Sequence, residues 1–211
     1  MNQQKFHEIL KDRYLSHFHT TYTDGKLSIE NYFEFCNENN IKYLIFSEHV
    51  RKKLNYDFIK YCKEVNQIAK KFTKVNFLMG AEAKFLPSNE LDLNNTILEN
   101  IDVLFFACHG FPNDIKLFND VVKTQFRNPK YNNVIKIWAH PGRFFKKHPL
   151  KNETTTMKNL INIAQENQVF LERNKKDNLI KKEYLKYVDK KNIIIGHDIH
   201  TENQLKNYNE K

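Results

Sequence analysis

Two histidines separated by one residue open the chemistry of this chain. In the stretch Leu15-Ser16-His17-Phe18-His19-Thr20-Thr21-Tyr22-Thr23-Asp24-Gly25, an extended backbone would point successive side chains to opposite faces. His17 and His19 then share a face and aim two imidazoles at one point. Asp24 follows in a turn closed by Gly25. Paired imidazoles with a nearby carboxylate suit a divalent ion such as zinc, manganese or iron. Taken alone, the motif reads better as a strand carrying two satisfied histidines, and only the rest of the chain reverses that.

Short apolar runs alternate with helical patterns along the whole sequence, which predicts strand and helix in turn and a parallel sheet. Strands are expected at 15–19, 43–47, 75–81, 103–108, 134–139, 169–171 and 193–195, and helices at 29–38, 57–72, 114–126, 155–166 and 179–188, with Ser28 as N-cap of the first. Each strand runs into a polar residue able to do chemistry: Glu48-His49, Glu82, His109, His140, Glu172-Arg173-Asn174, and Asp198 with His200. In a parallel barrel the C-terminal strand ends form one face, where active sites are built. Residues distant in sequence would converge there. The five glycines agree with this, since Gly25, Gly80, Gly110, Gly142 and Gly196 each lie within two positions of one of these groups.

The remaining polar residues read more plainly. His7, His148 and His197 fall off the pattern and are expected on the surface or in ordinary packing. Glu48 points away from its neighbour His49 and is expected to serve as a structural hydrogen-bond partner. Trp138 and the phenylalanines belong to the core.

Length fits one domain over residues 1–211 with a sizeable core. No run approaches the roughly 18 apolar residues of a membrane span, and the polar start, residues 1–14, does not read as a signal peptide. Cys36, Cys62 and Cys108 lack paired spacing, so neither a disulfide framework nor a cysteine zinc site is expected, and the compartment reads as cytoplasmic. The formal charge of +9 would favour nucleic acid if it were clustered. It is spread along the helical stretches instead, which predicts a solvated surface that attracts anionic substrates.

In order and spacing these pieces resemble the PHP (polymerase and histidinol phosphatase) superfamily. The resemblance rests on His-x-His-Thr…Asp-Gly at 17–25, Glu48-His49, Gly-x-Glu at 80–82, the lone His109, His140-Pro141, and Gly-x-Asp-x-His at 196–200. It implies an α/β fold, a distorted seven-stranded TIM-like (β/α) barrel with a metal cluster at the C-terminal ends of its strands. The implied ligands are His17, His19, Asp24, His49, Glu82, His109, His140, Asp198 and His200, holding two or three divalent ions (Mn, Fe or Zn). One departure is Leu15, where the family usually has Asp, which puts the orientation of the first two histidines in question.

The activity implied is that of the stand-alone histidinol-phosphatase-like branch: hydrolysis of a small anionic phosphomonoester by a metal-activated hydroxide. Asp198 or His200 is expected to protonate the leaving group. Arg143 and Arg173, with Lys84 third, are expected to hold phosphate oxygens. Two other readings stay open. A phosphodiesterase or 3′-5′ exonuclease would suit the basic chain, although no polymerase or other nucleic-acid module follows the last motif. A non-catalytic metal- or phosphate-binding module would be expected to lack some ligands, and here all nine positions are filled.

Overall fold

The computed structural model describes residues 1–208. In chain order its elements are helix α1 (Gln3–Ile9), strand β1 (Tyr14–Ser16), α2 (Ile29–Glu38), β2 (Tyr43–Ile45), β3 (Glu48–His49), α3 (Phe58–Ala69), β4 (Asn76–Leu78), β5 (Gly80–Leu86), β6 (Glu90–Leu91), α4 (Asn95–Leu98), β7 (Val103–Ala107), α5 (Ile115–Arg127), β8 (Ile135–Trp138), α6 (Arg143–Lys147), α7 (Glu153–Glu166), β9 (Val169–Asn174), β10 (Ile193–Gly196) and α8 (Glu202–Lys206).

The strands form one curled parallel sheet in two ladders. One runs β1-β2-β4; the other runs β10-β9-β8-β7-β5-β3, with β6 antiparallel on β5. At one seam the chain itself carries the first ladder into the second, β2 running through Phe46 and Ser47 into β3 and β4 through Met79 into β5. There Phe46 N on the Leu78 carbonyl at 3.0 Å extends the β2–β4 pairing, and Val50 N on the Glu82 carbonyl at 3.0 Å extends that of β3 and β5. At the other seam Phe18 bridges Ile199, with His19 N on the Ile199 carbonyl at 2.9 Å and Ile199 N on the His17 carbonyl at 3.0 Å. The start and end of the chain are therefore brought edge to edge, which carries His17 and His19 to Asp198.

Strand alternation divides the core in two. Val103, Phe105 and Ala107 pack with Ile135, Ile137, Phe170 and Ile194 on the inner face, where Phe6 and Ile9 of α1 join them. Leu104, Phe106, Trp138 and Leu171 face outward into the layer covered by the helices. Phe6 meets Phe170 edge-on at 4.9 Å between centroids. Burying a side chain of this kind is worth about 1.5–3 kcal/mol, so α1, absent from the sequence-based reading, has a clear reason to fold against the sheet.

The helices at 29–38, 57–72, 114–126 and 155–166 are present to within a few residues, and Ser28 caps α2 in a capping box with Asn31. The structure corrects several other expectations. The stretch 179–188 contains a 3-10 segment, Lys182–Tyr187, and no α-helix. The strand expected at 75–81 breaks at Met79, whose N–H donates to the Asp102 carboxylate at 3.0 Å. Pairing resumes in β5, so Glu82 lies within a strand and not at its end. The strand at 15–19 stops at Ser16, because His17 takes a left-handed backbone, φ +58°.

Candidate metal centre

All nine expected ligands meet at one end of the sheet. They form four overlapping groups: His19, Asp24, His49 and His200; His17, Glu82 and His140; His17, His19 and Asp198; and His49, Glu82 and His109. Within each group the ligand atoms lie within 4.8 Å of one another. His17 and His19 do converge, with ring centroids 5.3 Å apart, but not by regular alternation. His17, His140 and Asp198 all have positive φ, 58°, 34° and 52°, a conformation costly for residues other than glycine. Such strain gathers where a site over-determines the backbone. Each of these residues ends or follows its strand by swinging its side chain off the pleat and toward the cluster.

Glu82 is the hub, only 1% exposed. Its Oε1 lies 2.8 Å from His140 Nε2, 3.1 Å from His109 Nε2 and 3.4 Å from His17 Nε2, while Oε2 faces His49 Nδ1 at 2.7 Å and His19 Nε2 at 3.8 Å. Its two oxygens thus look toward different sets of imidazoles, the arrangement expected of a bridging carboxylate. Burial would raise its pKa, but His109, His17 and His49 hold it well below the usual carboxylate range.

Several buried donor atoms have no hydrogen-bond partner: His17 Nε2, both ring nitrogens of His19, His49 Nδ1, His140 Nδ1 and Glu82 Oε2. The His49–Glu82 approach is close but lacks hydrogen-bond geometry. Orphaned buried nitrogens are costly, and nitrogen and oxygen donors of this type, turned inward together, fit divalent ions.

Carboxylates outside the nine orient them. Glu172, fully buried, accepts at 2.5 Å from His17 Nδ1 on one oxygen; on the other it takes the backbone N–H of His140 at 2.6 Å and Asn174 Nδ2 at 3.2 Å. A Cβ on Gly196 would sit 1.7 Å from Glu172 Oε1, which is why only glycine fits there. Glu48 takes the N–H of Thr20 at 2.9 Å and its hydroxyl at 2.5 Å, accepts from the Thr23 hydroxyl, and lies 3.8 Å from His19 Nδ1. Leu15 meanwhile is fully buried in the core. The carboxylates that meet these imidazoles come from β9 and β3, and such partners set the tautomer and aim of ligating imidazoles.

Arg143 lies over the cluster, against His109 and Asp198. Gly142 has φ +97°, and the guanidinium reaches Asp177 through Nε at 3.0 Å and Nη2 at 2.6 Å, Asp198 through Nη2 at 3.0 Å, and His109 Nδ1 through Nη1 at 3.3 Å. Arg173 is not brought into the group. It follows Glu172 in β9, and since Phe170 and Glu172 face inward the alternation turns it outward. Lys84 shares the face of Glu82 but stands at the rim, 3.7 Å from Asp92. The sequence-based reading missed the orienting role of Glu172 and overlooked Asp177; the position of Glu172 at a strand end was the available signal for the first. The histidines set aside pack elsewhere: His7 against Phe170, His148 against Phe144 and His197 against Tyr208.

The charges predict how the metal-free protein responds to pH. Burial would lower the pKa of His49, but Glu82 and Asp24 raise it to about 9, and Glu172 and Glu82 likewise raise His17 against its burial. Groups raised in the folded state stabilise it fully below their unfolded pKa near 6.5 and lose that contribution as pH rises through the folded value. Burial pushes His140 down to about 4, which matters only below 6.5. The melting temperature of metal-free protein is therefore expected to fall between pH 6.5 and 9, while affinity for zinc or manganese rises over the same interval as protons are displaced. Thermal melts and metal titrations in two buffers of different ionisation enthalpy check this; no proton release at pH 7 would contradict it.

Comparison with known proteins bears on the fold and the family. The structure resembles the histidinol phosphate phosphatase of Lactococcus lactis, described in complex with zinc, L-histidinol and phosphate, with a TM-score of 0.65 and 14% identity over 90% of this chain and 87% of that one. It also resembles a two-domain protein from Bacteroides vulgatus described as containing a predicted PHP-like metal-dependent phosphoesterase, with a TM-score of 0.55 and 17% identity over 92% of this chain and 53% of that one. Among curated proteins, the DNA polymerase/3'-5' exonuclease PolX of Bacillus subtilis (strain 168) is 26% identical over 165 residues, 75% of this chain and 28% of the relative, so the chain spans little more than a quarter of that protein's length. Residues 16–201 match the PHP domain, and the chain belongs to that family.

Proposed function

We propose that this family member is a metal-dependent phosphoesterase acting on a small phosphomonoester, with two or three divalent ions held by the nine converging residues. The observation that carries the reading is the convergence itself, with orphaned imidazole nitrogens and a buried carboxylate that faces two sets of imidazoles, beneath a tethered arginine. We take the two ladders, tied at both seams, as one distorted seven-stranded barrel of TIM-like form, its site at the C-terminal strand ends.

Bound divalent ions supply Lewis acidity and an activated water at neutral pH. The chain's own residues do the rest. Arg143 presents a planar cation beside Asp198 and His109, where it can grip two phosphoryl oxygens. Of the two groups expected to protonate the leaving alkoxide, Asp198 is held far below the carboxylate range despite its burial, by His19 and His17, and stays ionised. His200, at the rim with its side chain 19% exposed, is lowered as well, by burial and by the neighbouring His19, so neither group is held protonated and the leaving alkoxide would take its proton from water.

The similarity to an exonuclease-containing polymerase and the charge of +9 favour a second reading, a phosphodiesterase on nucleic acid. Salt separates the two. A protein gripping several duplex phosphates loses about 0.9 log units of affinity per log unit of salt for each contact, whereas hydrolysis of a small monoester by this protein is expected to change only mildly from 50 to 300 mM salt. A screen of monoesters, a diester and single-stranded DNA with manganese- or zinc-loaded protein tests both. Nucleotide release from DNA with a steep salt slope would replace the monoesterase reading.

A further inference from the structure

Beside the cluster a groove of about 500 Å3 opens, lined by His49, His109 and Asp24 of the cluster and by a wall that carries Arg51 and Lys53. The wall is the loop between β3 and α3. It is tied to the metal centre by the Tyr56 hydroxyl, which donates to the His49 carbonyl at 2.9 Å, and Leu54 packs on the core. The loop's cations therefore stand at a set distance from the proposed ligand His49.

Their charge is only partly answered. Lys52 is taken by Glu90 at 2.5 Å. Arg51 and Lys84 share a single carboxylate, Asp92, at 3.6 and 3.7 Å, and Arg51 also donates to the Val50 carbonyl at 2.6 Å. Lys53 is exposed and has no carboxylate within ion-pair distance among the described residues. Asp24 is the acid facing the groove, and its carboxylate is turned to His49 and His200 at 3.5 Å each. Once that carboxylate serves a cation, nothing in the groove offsets Lys53 and little offsets Arg51. A phosphoryl group seated under Arg143 would direct its leaving group away from the cluster, and this groove is the cavity adjoining His49 and His109 that can receive it.

We propose that the groove selects substrates whose leaving group carries a second anionic group, a carboxylate or a second phosphate, bound by Arg51 and Lys53. Esters with a cationic leaving group are disfavoured there. This rests on the phosphomonoesterase reading and narrows its substrate class. A guanidinium and an ammonium in a wet groove act through charge and steering more than through tight contact, so the discrimination is read best as a ratio.

The test measures kcat/KM of the manganese-loaded protein on matched small esters: glycerol 3-phosphate, 3-phosphoglycerate, phosphoethanolamine and a glycerol or sugar bisphosphate. The anionic esters are expected to exceed the neutral one by tenfold or more and the cationic one by more than that. Whether 3-phosphoglycerate or the bisphosphate leads distinguishes carboxylate from phosphate. In Arg51→Ala/Lys53→Ala the anionic-to-neutral ratio should fall at least fivefold, and in Lys53→Glu the order of anionic and cationic esters should move toward the cationic one. Turnover indifferent to leaving-group charge, or a ratio unmoved in both variants, overturns the groove assignment alone. No turnover of any ester overturns the phosphomonoesterase reading and this one with it.

Discussion

Glu82→Gln is expected to lower kcat by more than about tenfold, roughly 1.4 kcal/mol of transition-state stabilisation, and to strip the protein of most of its metal. Glutamine preserves the shape of the side chain and removes the charge. The carboxylate is the only one of the cluster that faces five imidazoles, at 2.7 to 3.8 Å, so no neighbour can replace it. Because Glu82 is buried, the change also reaches the metal-free fold. His17 and His49 each lose one of the carboxylates that hold their pKa up, Glu172 remaining beside His17 and Asp24 beside His49, and breaking a buried pair by removing one member costs about 3–5 kcal/mol. Neutralisation of the imidazoles would relieve part of that. The decline of stability between pH 6.5 and 9 should accordingly flatten in the variant, which separates loss of this charge from general misfolding. Elemental analysis, kcat and metal-free melts at the two pH values check all three effects, and a variant with more than about a tenth of wild-type kcat would place the chemistry elsewhere.

Arg143→Ala is expected to retain its metal but lose about tenfold to a thousandfold in kcat/KM, from the roughly 1.5–3 kcal/mol of a charged hydrogen bond upward. The guanidinium spreads its donors over three partners: Nε and Nη2 on Asp177, Nη2 also on Asp198, and Nη1 toward His109. Asp177 is in turn fastened by its N–H to Asn174 Oδ1 at 2.9 Å. The planar fork can stay anchored on Asp177 while its other edge faces substrate. Arg143→Lys should therefore recover only part of the activity, since one ammonium cannot serve both edges. Kinetics of Arg143→Ala equal to wild type, with metal unchanged, would leave the guanidinium as a structural tie between Asp177 and Asp198.

The identities of the clustered groups could be read from the chain alone because they depend on local rules. Short apolar runs end at polar residues, and a helix such as α2 begins at a capping Ser28, so His109, His140 and Asp198 could be placed at the mouth of a parallel sheet without coordinates. Three things required the tertiary structure. Glu172 and Asp177 act across more than 30 residues of chain, on His17, His140 and Arg143, and no spacing rule reports a partner on another strand. Arg173 and Lys84 were separated from Arg143 by strand register and by Asp92, which decide the face of β9 and the charge left at the rim. Finally, alternation accounted for His17 and His19 by the wrong route. The left-handed backbone of His17 and the bridge from Phe18 to Ile199 bring those rings to Asp198, because closing the sheet satisfies backbone groups that a short, isolated β1 would leave unpaired.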